Sequence, residues 1–195
     1  MIVKIPPANK PISVDAAKNF LYIASSSQDA EIQLFIDSVV AEFERITSRT
    51  LINTTFTAFF DSFSDSIYDE ITLRRAIAQS ISEVRYLDED ENWQVLDPLI
   101  YRLARSYHDF SSVVLRPEKS WPTISNVPNA VEIDFVAGYG PNPNLVPPDI
   151  RNALLQCIGA LYESRGQSEE CAGGKLPERA LRVINGYKIK RMLVP

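Results

Sequence analysis

A chain of 195 residues, 45% hydrophobic and 23% charged, is long enough to bury a sizeable core and too apolar to be disordered throughout. Its net charge of −5 gives solubility and argues against a dedicated DNA-binding domain, because phosphate binding needs a concentrated positive field. No apolar run approaches the ~20 residues of a membrane-spanning helix, and Pro6-Pro7 interrupts the apolar start where a secretion signal would lie, so the chain is expected to stay in the cytoplasm or enter something assembled there.

Residues 1–12 are proline-rich and read as extended. Ser13 is placed to cap a short helix over 14–21, its hydroxyl accepting from a free amide of the first turn. After the polar loop 25–29 comes the strongest periodic signal in the chain. Ile32, Phe35, Ile36, Val39, Val40, Phe43, Ile46 and Thr47 recur at steps of three and four, which makes one stripe of a helix of about six turns. From residue 51 the composition changes. The Thr- and Phe-rich run 52–60 suits a pleated surface, and 71–74 reads as a second strand. In 80–88, Ile81, Glu83, Arg85 and Leu87 alternate with Ser82, Val84 and Tyr86. The polar turn 88–92 and residues 93–96 complete a hairpin. Further strands are expected over 101–105, 112–116 and 130–137. Trp93 and Trp121, beside turns, are expected to close a small core. The breaker run 138–144 ends the β-rich stretch. Pro147-Pro148 opens a helix striped by Ile150, Leu154, Cys157, Ile158, Leu161 and Tyr162, ending near Arg165-Gly166. After a polar loop over 167–175, Pro177 opens a last helix with Ala180, Leu181, Ile184, Tyr187 and then Met192 or Leu193 as apolar positions.

The expected fold is therefore α+β. An α-helical bundle module of about four helices (residues 1–50 with 138–195) carries a small antiparallel β-sheet or open barrel (51–137), inserted between helices two and three.

Catalytic chemistry finds little support. The one histidine, His108, falls in a turn between strands, and there is no Cys-x-x-Cys or pair of histidines to hold a metal. No strand–turn–helix elbow surrounds a serine, and Gly138 and Gly140 lead into Pro141, which lacks the amide a phosphate loop would use. Cys157 lies on an apolar helix face and reads as a buried free thiol; Cys171 lies in the polar loop. No catalytic, metal or cofactor site is expected. Asp88, Glu89, Asp90 and Glu91 lack the spacing of a calcium loop and read as a solvated turn, with an acid/base pair acting on a glycan as a remote alternative.

Charge is distributed unevenly. Residues 61–97 hold ten acidic and three basic side chains, a local charge of −7, whereas 175–195 carry +5. Opposite patches on one chain can steer docking to a partner. The basic residues singled out as a partner-binding set are Arg179, Arg182, Lys188, Lys190 and Arg191.

Several segments resemble phage head–tail connector (adaptor, or head completion) proteins. They are the opening Pro11-Ile12-Ser13-Val14-Asp15-Ala16-Ala17-Lys18, the helix end Ile46-Thr47-Ser48-Arg49-Thr50-Leu51-Ile52, the run Ile81-Ser82-Glu83-Val84-Arg85-Tyr86-Leu87-Asp88, Leu96-Asp97-Pro98 with Tyr101-Arg102-Leu103, the run from Asn129 to Gly140, Val146-Pro147-Pro148-Asp149-Ile150-Arg151, and Leu161-Tyr162-Glu163-Ser164-Arg165. The likeness spans residues 10–165 and fits the longer branch with a β insert, found in tailed phages, prophages and gene transfer agents. It implies a structural virion protein at the portal–tail junction, made in the host cytoplasm, forming a ring of about a dozen copies. That ring would bind the portal protein through the basic last helix, meet a tail or stopper protein, and extend a channel through which DNA passes without sequence-specific contact. No membrane partner is implied. The alternatives are another virion component, such as a tail completion protein, or a glycan-acting enzyme using carboxylates of the β segment.

Overall fold

The computed structural model describes residues 1–63, 70–73, 75, 77–105, 110–165 and 176–189. Arg74, His108, Gly166, the loop 167–175 with Cys171 and Lys175, and Lys190, Arg191, Met192 and Leu193 lie outside the described residues. The chain divides into two compact units, a helical and a β-rich one.

The helical unit holds Asn9–Ile52 and the described residues from Gly140 on. Helix α1 (Val14–Leu21) begins as expected, with the Ser13 hydroxyl accepting from the Ala16 amide at 3.1 Å. Helix α2 (Asp29–Thr47) buries Ile32, Ile36, Val39, Phe43 and Thr47, the centre of the predicted stripe, while Phe35, Val40 and Ile46 line its half-buried margins. It ends at Ser48 in the left-handed region, φ 57°. The chain does not then surface: Arg49, Thr50, Leu51 and Ile52 are all buried. In the breaker run, a Cβ on Gly140 would sit 2.2 Å from Leu145 Cδ1, so Leu145 would have to move aside for any side chain there. Helix α3 (Pro148–Ser164) has proline in its first turn and buries Ile150, Ala153, Leu154, Cys157 and Ile158. Gly159 lets α1 approach, since a Cβ there would be 3.3 Å from the Phe20 ring. Helix α4 (Glu178–Tyr187) packs on α3 and α2 through Ala180 and Ile184. It stops earlier than the sequence pattern suggests. Lys188 is extended, and the Ile189 amide donates to Thr47 O at 3.3 Å instead of continuing the helix.

The β-rich unit holds Met1–Ala8 and the described part of 53–139. Residues 1–8 thus group with the strands, whereas the sequence pattern assigns 1–50 to the helices. The cause is strand β1 (Ile2–Ile5), whose backbone pairs antiparallel with β2 (Thr54–Phe60). The others are β3 (Glu70–Leu73), β4 (Ala78–Leu87), β5 (Trp93–Val95), β6 (Tyr101–Arg105), β7 (Ser111–Leu115) and β8 (Val131–Ala137). They form two antiparallel sheets: five strands in the order β1-β2-β8-β4-β5, and three in the order β3-β7-β6. Phe56, Val84, Ile133 and Phe135 from the first share one core with Ile71, Leu73, Tyr101 and Val113 from the second. Phe56 and Phe135 stack at 5.7 Å. Ser111 Oγ on β7 accepts from the Ala78 amide on β4 at 3.1 Å, tying the sheets at a buried point.

A register shift in β4 rearranges the predicted alternation. Ile81 lies opposite Phe135 and Glu83 opposite Asp134, two residues against one on the partner strand. This bulge turns Ile81 toward the core, although simple alternation puts it beside Glu83.

Candidate interaction surface

Neither unit offers a reaction centre among the described residues. No group of three His, Cys, Asp or Glu could hold a metal ion. Cys157 is buried and free, and burial pushes its thiol up to about 11, far from a reactive thiolate at neutral pH. A cavity of about 140 Å³ lies between α2, α3 and α4, lined by apolar Val39, Phe43, Leu154, Cys157, Leu161 and Ile184. Glu42 at this site is held by Arg45 through two hydrogen bonds of 2.6 and 2.8 Å. His108 lies outside the described residues.

The acidic stretch, read as one patch in sequence, divides by task. Asp61 accepts from the Asn129 amide at 2.8 Å, and Asp97 accepts from the Leu99 amide at 2.8 Å. Asp88 closes the β4–β5 turn, accepting from the Asn92 and Asp90 amides and from Gln94 Nε2. The Asn92 amide and then the Gln94 side chain hold its carboxyl below the usual carboxylate range. An ionised acceptor fixed in this way builds a turn; it is poorly suited to deliver a proton to a glycan. Glu89, Asp90 and Glu91 remain exposed at the tip.

Two of the basic residues, Arg179 and Arg182, are carried by α4, which is held through its inner face and at its end. Ala180 and Ile184 bury the inner face of α4. At its end, Arg49 Nε donates to the Tyr187 carbonyl at 2.7 Å while the guanidinium lies 5.5 Å from the Tyr187 ring centre. The Tyr187 hydroxyl donates to the Asp149 carboxylate on α3 at 2.9 Å. Arg179, Arg182 and Lys188 are left exposed. Arg182 meets Glu178 at 3.5 Å, a pair so exposed that it adds little stability. Lys190 and Arg191 lie outside the described residues. Arg49 has no distinguishing sequence signal beyond its neighbours: a charge flanked by Thr47 and Thr50-Leu51-Ile52 sits where the chain remains buried.

The outer face of the five-stranded sheet is also polar at its centre. Asp134 is only 3% exposed, accepts from the Thr57 hydroxyl at 2.5 Å and pairs with Lys4. Beside it, Arg85 binds Glu132 at 2.5 Å and Glu83 at 3.4 Å, and lies 5.8 Å from the centre of the Trp93 ring. The two tryptophans differ. Trp121 stacks on Phe63 at 4.7 Å and closes the core as expected, whereas Trp93 stands on an edge strand, 48% exposed.

No protein-family model matches the chain, and no curated protein matches it at a significant level. Solved structures do. A chain from the neck of an empty GTA particle computed with C6 symmetry superposes with a TM-score of 0.79 at 21% identity, over 100% of this chain and 99% of that one. A chain of the virion of a native gene transfer agent (GTA) particle gives 0.77 at 19% identity, with the same coverage. A third, from the neck of a native GTA particle computed with C12 symmetry, gives 0.72 at 20% identity, again over 100% and 99%. At these identities the likeness establishes the fold, over the whole of this chain and nearly all of those.

Proposed function

We propose that the chain is a structural virion protein of a phage-like particle neck, acting there as a head–tail connector (adaptor) subunit. A ring of about twelve copies binds beneath the portal protein, extends the DNA channel without reading sequence, and presents a platform to a tail or stopper protein. The observation that carries this reading is the end-to-end fold likeness to chains from GTA particles, two of them from particle necks. The C6 and C12 symmetries of those necks are both compatible with twelve copies. Arg179 and Arg182, exposed on the well-anchored helix α4, and Lys188 just past its end suit docking on an acidic protein surface, since such patches steer encounter and set register. The function is one of assembly, and no catalytic step is assigned to it.

Reversal of Arg179, Arg182, Lys188, Lys190 and Arg191 to Glu should abolish co-sedimentation with portal rings while leaving the circular dichroism spectrum unchanged. Undiminished co-sedimentation would remove the portal-docking assignment. Electron microscopy of particles should place the chain at the portal–tail junction. Density elsewhere in the neck would favour a tail completion protein, and absence from the particle would overturn the reading altogether.

A further inference from the structure

The five-stranded sheet has two edges, β1 and β5, and each pairs with one neighbour only among the described residues. An edge strand presents a row of unpaired amides and carbonyls, and soluble proteins usually blunt such edges with charge. Charge does not blunt these two edges, although both strands are short and β1 carries a register shift between Val3 and Ile5. Lys4 is the only charge on β1, and its ammonium is drawn across β2 to Asp134 on β8. The other side chains of β1 are apolar and open: Ile2 is 58%, Val3 55% and Ile5 58% exposed. Strand β5 carries no charge at all, and its Trp93 and Val95 are 48% and 65% exposed. Both edges therefore combine free backbone with β-branched or aromatic side chains, the composition that favours a further strand.

We infer that the partner is a second copy of this chain, with β5 of one copy pairing to β1 of the next. This rests on the reading of the chain as a ring subunit. Two different edges on one sheet make a head-to-tail contact, which propagates around a ring, whereas a like-to-like contact would stop at a dimer. The strand directions follow. Four antiparallel steps separate β1 from β5, so the two run the same way. Copies related by rotation about an axis along the strands then join in parallel, over the three to four residues these strands possess. Free polar groups along a strand are satisfied by another strand, which is why a copy fits better here than a helix or a ligand.

Ile2 and Val95 share the outer face, because Ile2 lies opposite Thr57, Thr57 opposite Asp134, Asp134 opposite Glu83, and Val95 opposite Arg85, two residues along from Glu83. The test is an Ile2→Cys, Val95→Cys chain in a Cys171→Ser background, incorporated into particles and treated with a short bismaleimide. A ladder of covalent oligomers extending beyond the dimer is expected, with no product from either single cysteine. A dimer from Ile2→Cys alone would establish like-to-like pairing and overturn the inference. So would the absence of a ladder in particles that contain the chain at normal copy number, with both introduced cysteines labelled by a monofunctional maleimide after denaturation in addition to Cys157. Absence of the chain from particles would instead overturn the connector reading, and this inference with it. Both substituted positions are exposed, and an unchanged thermal melt of the free chain confirms that folding is intact.

Discussion

Asp134 shows how one residue can change meaning between sequence and structure. In the alternating run of β8 it occupies an outward, polar position, and a solvated carboxylate is the natural reading. The fold buries it beneath Lys4 and beside Thr57. Burial by itself would raise its pKa, but hydrogen bonds from Lys4 and Thr57, with the charges of Lys4 and Arg85, outweigh that and hold the carboxyl below the usual range. A folded pKa below the unfolded value of about 3.9 stabilises the native state at pH values above it, and that stability is lost as the pH falls through the folded value. Asp134→Asn should cost about 1–3 kcal/mol at pH 7, because a buried hydroxyl loses its anionic acceptor. It should also flatten the decline of stability below about pH 4. Denaturant melts across pH would show both; an unaltered acid slope would mean that the carboxylate is not the titrating group.

Elements, like residues, depend to different degrees on distant partners. Helix α2 was legible because its stripe is local: residues three and four apart meet whatever the rest of the chain does. Helix α3 was legible for the same reason, with its proline start. Helix α4 was legible as far as Tyr187, but its stop there was not. Its end is set by partners distant in sequence, Arg49 to Tyr187 and Thr47 to Ile189. Arg49→Ala should therefore loosen α4. A hydrogen bond from a charged donor contributes about 1.5–3 kcal/mol, so amide exchange over Glu178–Tyr187 should accelerate by roughly 10- to 100-fold, with β8 amides as the reference. Unchanged exchange in α4 would show that the burial of Ala180 and Ile184, with the Tyr187–Asp149 hydrogen bond, holds the helix without Arg49. The place of strand β4 is legible in its sequence to within two residues, but its bulge is not, since a bulge exists only against a partner strand.

At the scale of the whole molecule, the uneven charge is the property most open to measurement. If α4 docks on an acidic portal surface, association should be steered by charge and weakened by salt, given a Debye length of about 8 Å at physiological ionic strength. The association rate with portal rings should fall roughly tenfold or more between about 50 and 500 mM salt. A rate indifferent to salt would point to an apolar contact instead. The sequence by itself determined the α+β class, the helix stripes, the position of the β-rich insert between α2 and α3, and the buried thiol of Cys157. Each of these follows from periodicity or composition within about twenty residues of chain. Only the tertiary structure decided that the strands form two sheets, that residues 1–8 join them, that Trp93 stands at an open edge, and that Arg49 and Asp134 are buried. Those outcomes depend on which strands find each other, Thr54 of β2 with Ala137 of β8 among them, and pairing over that distance is fixed by the packing of the assembled core, on which local pattern is silent.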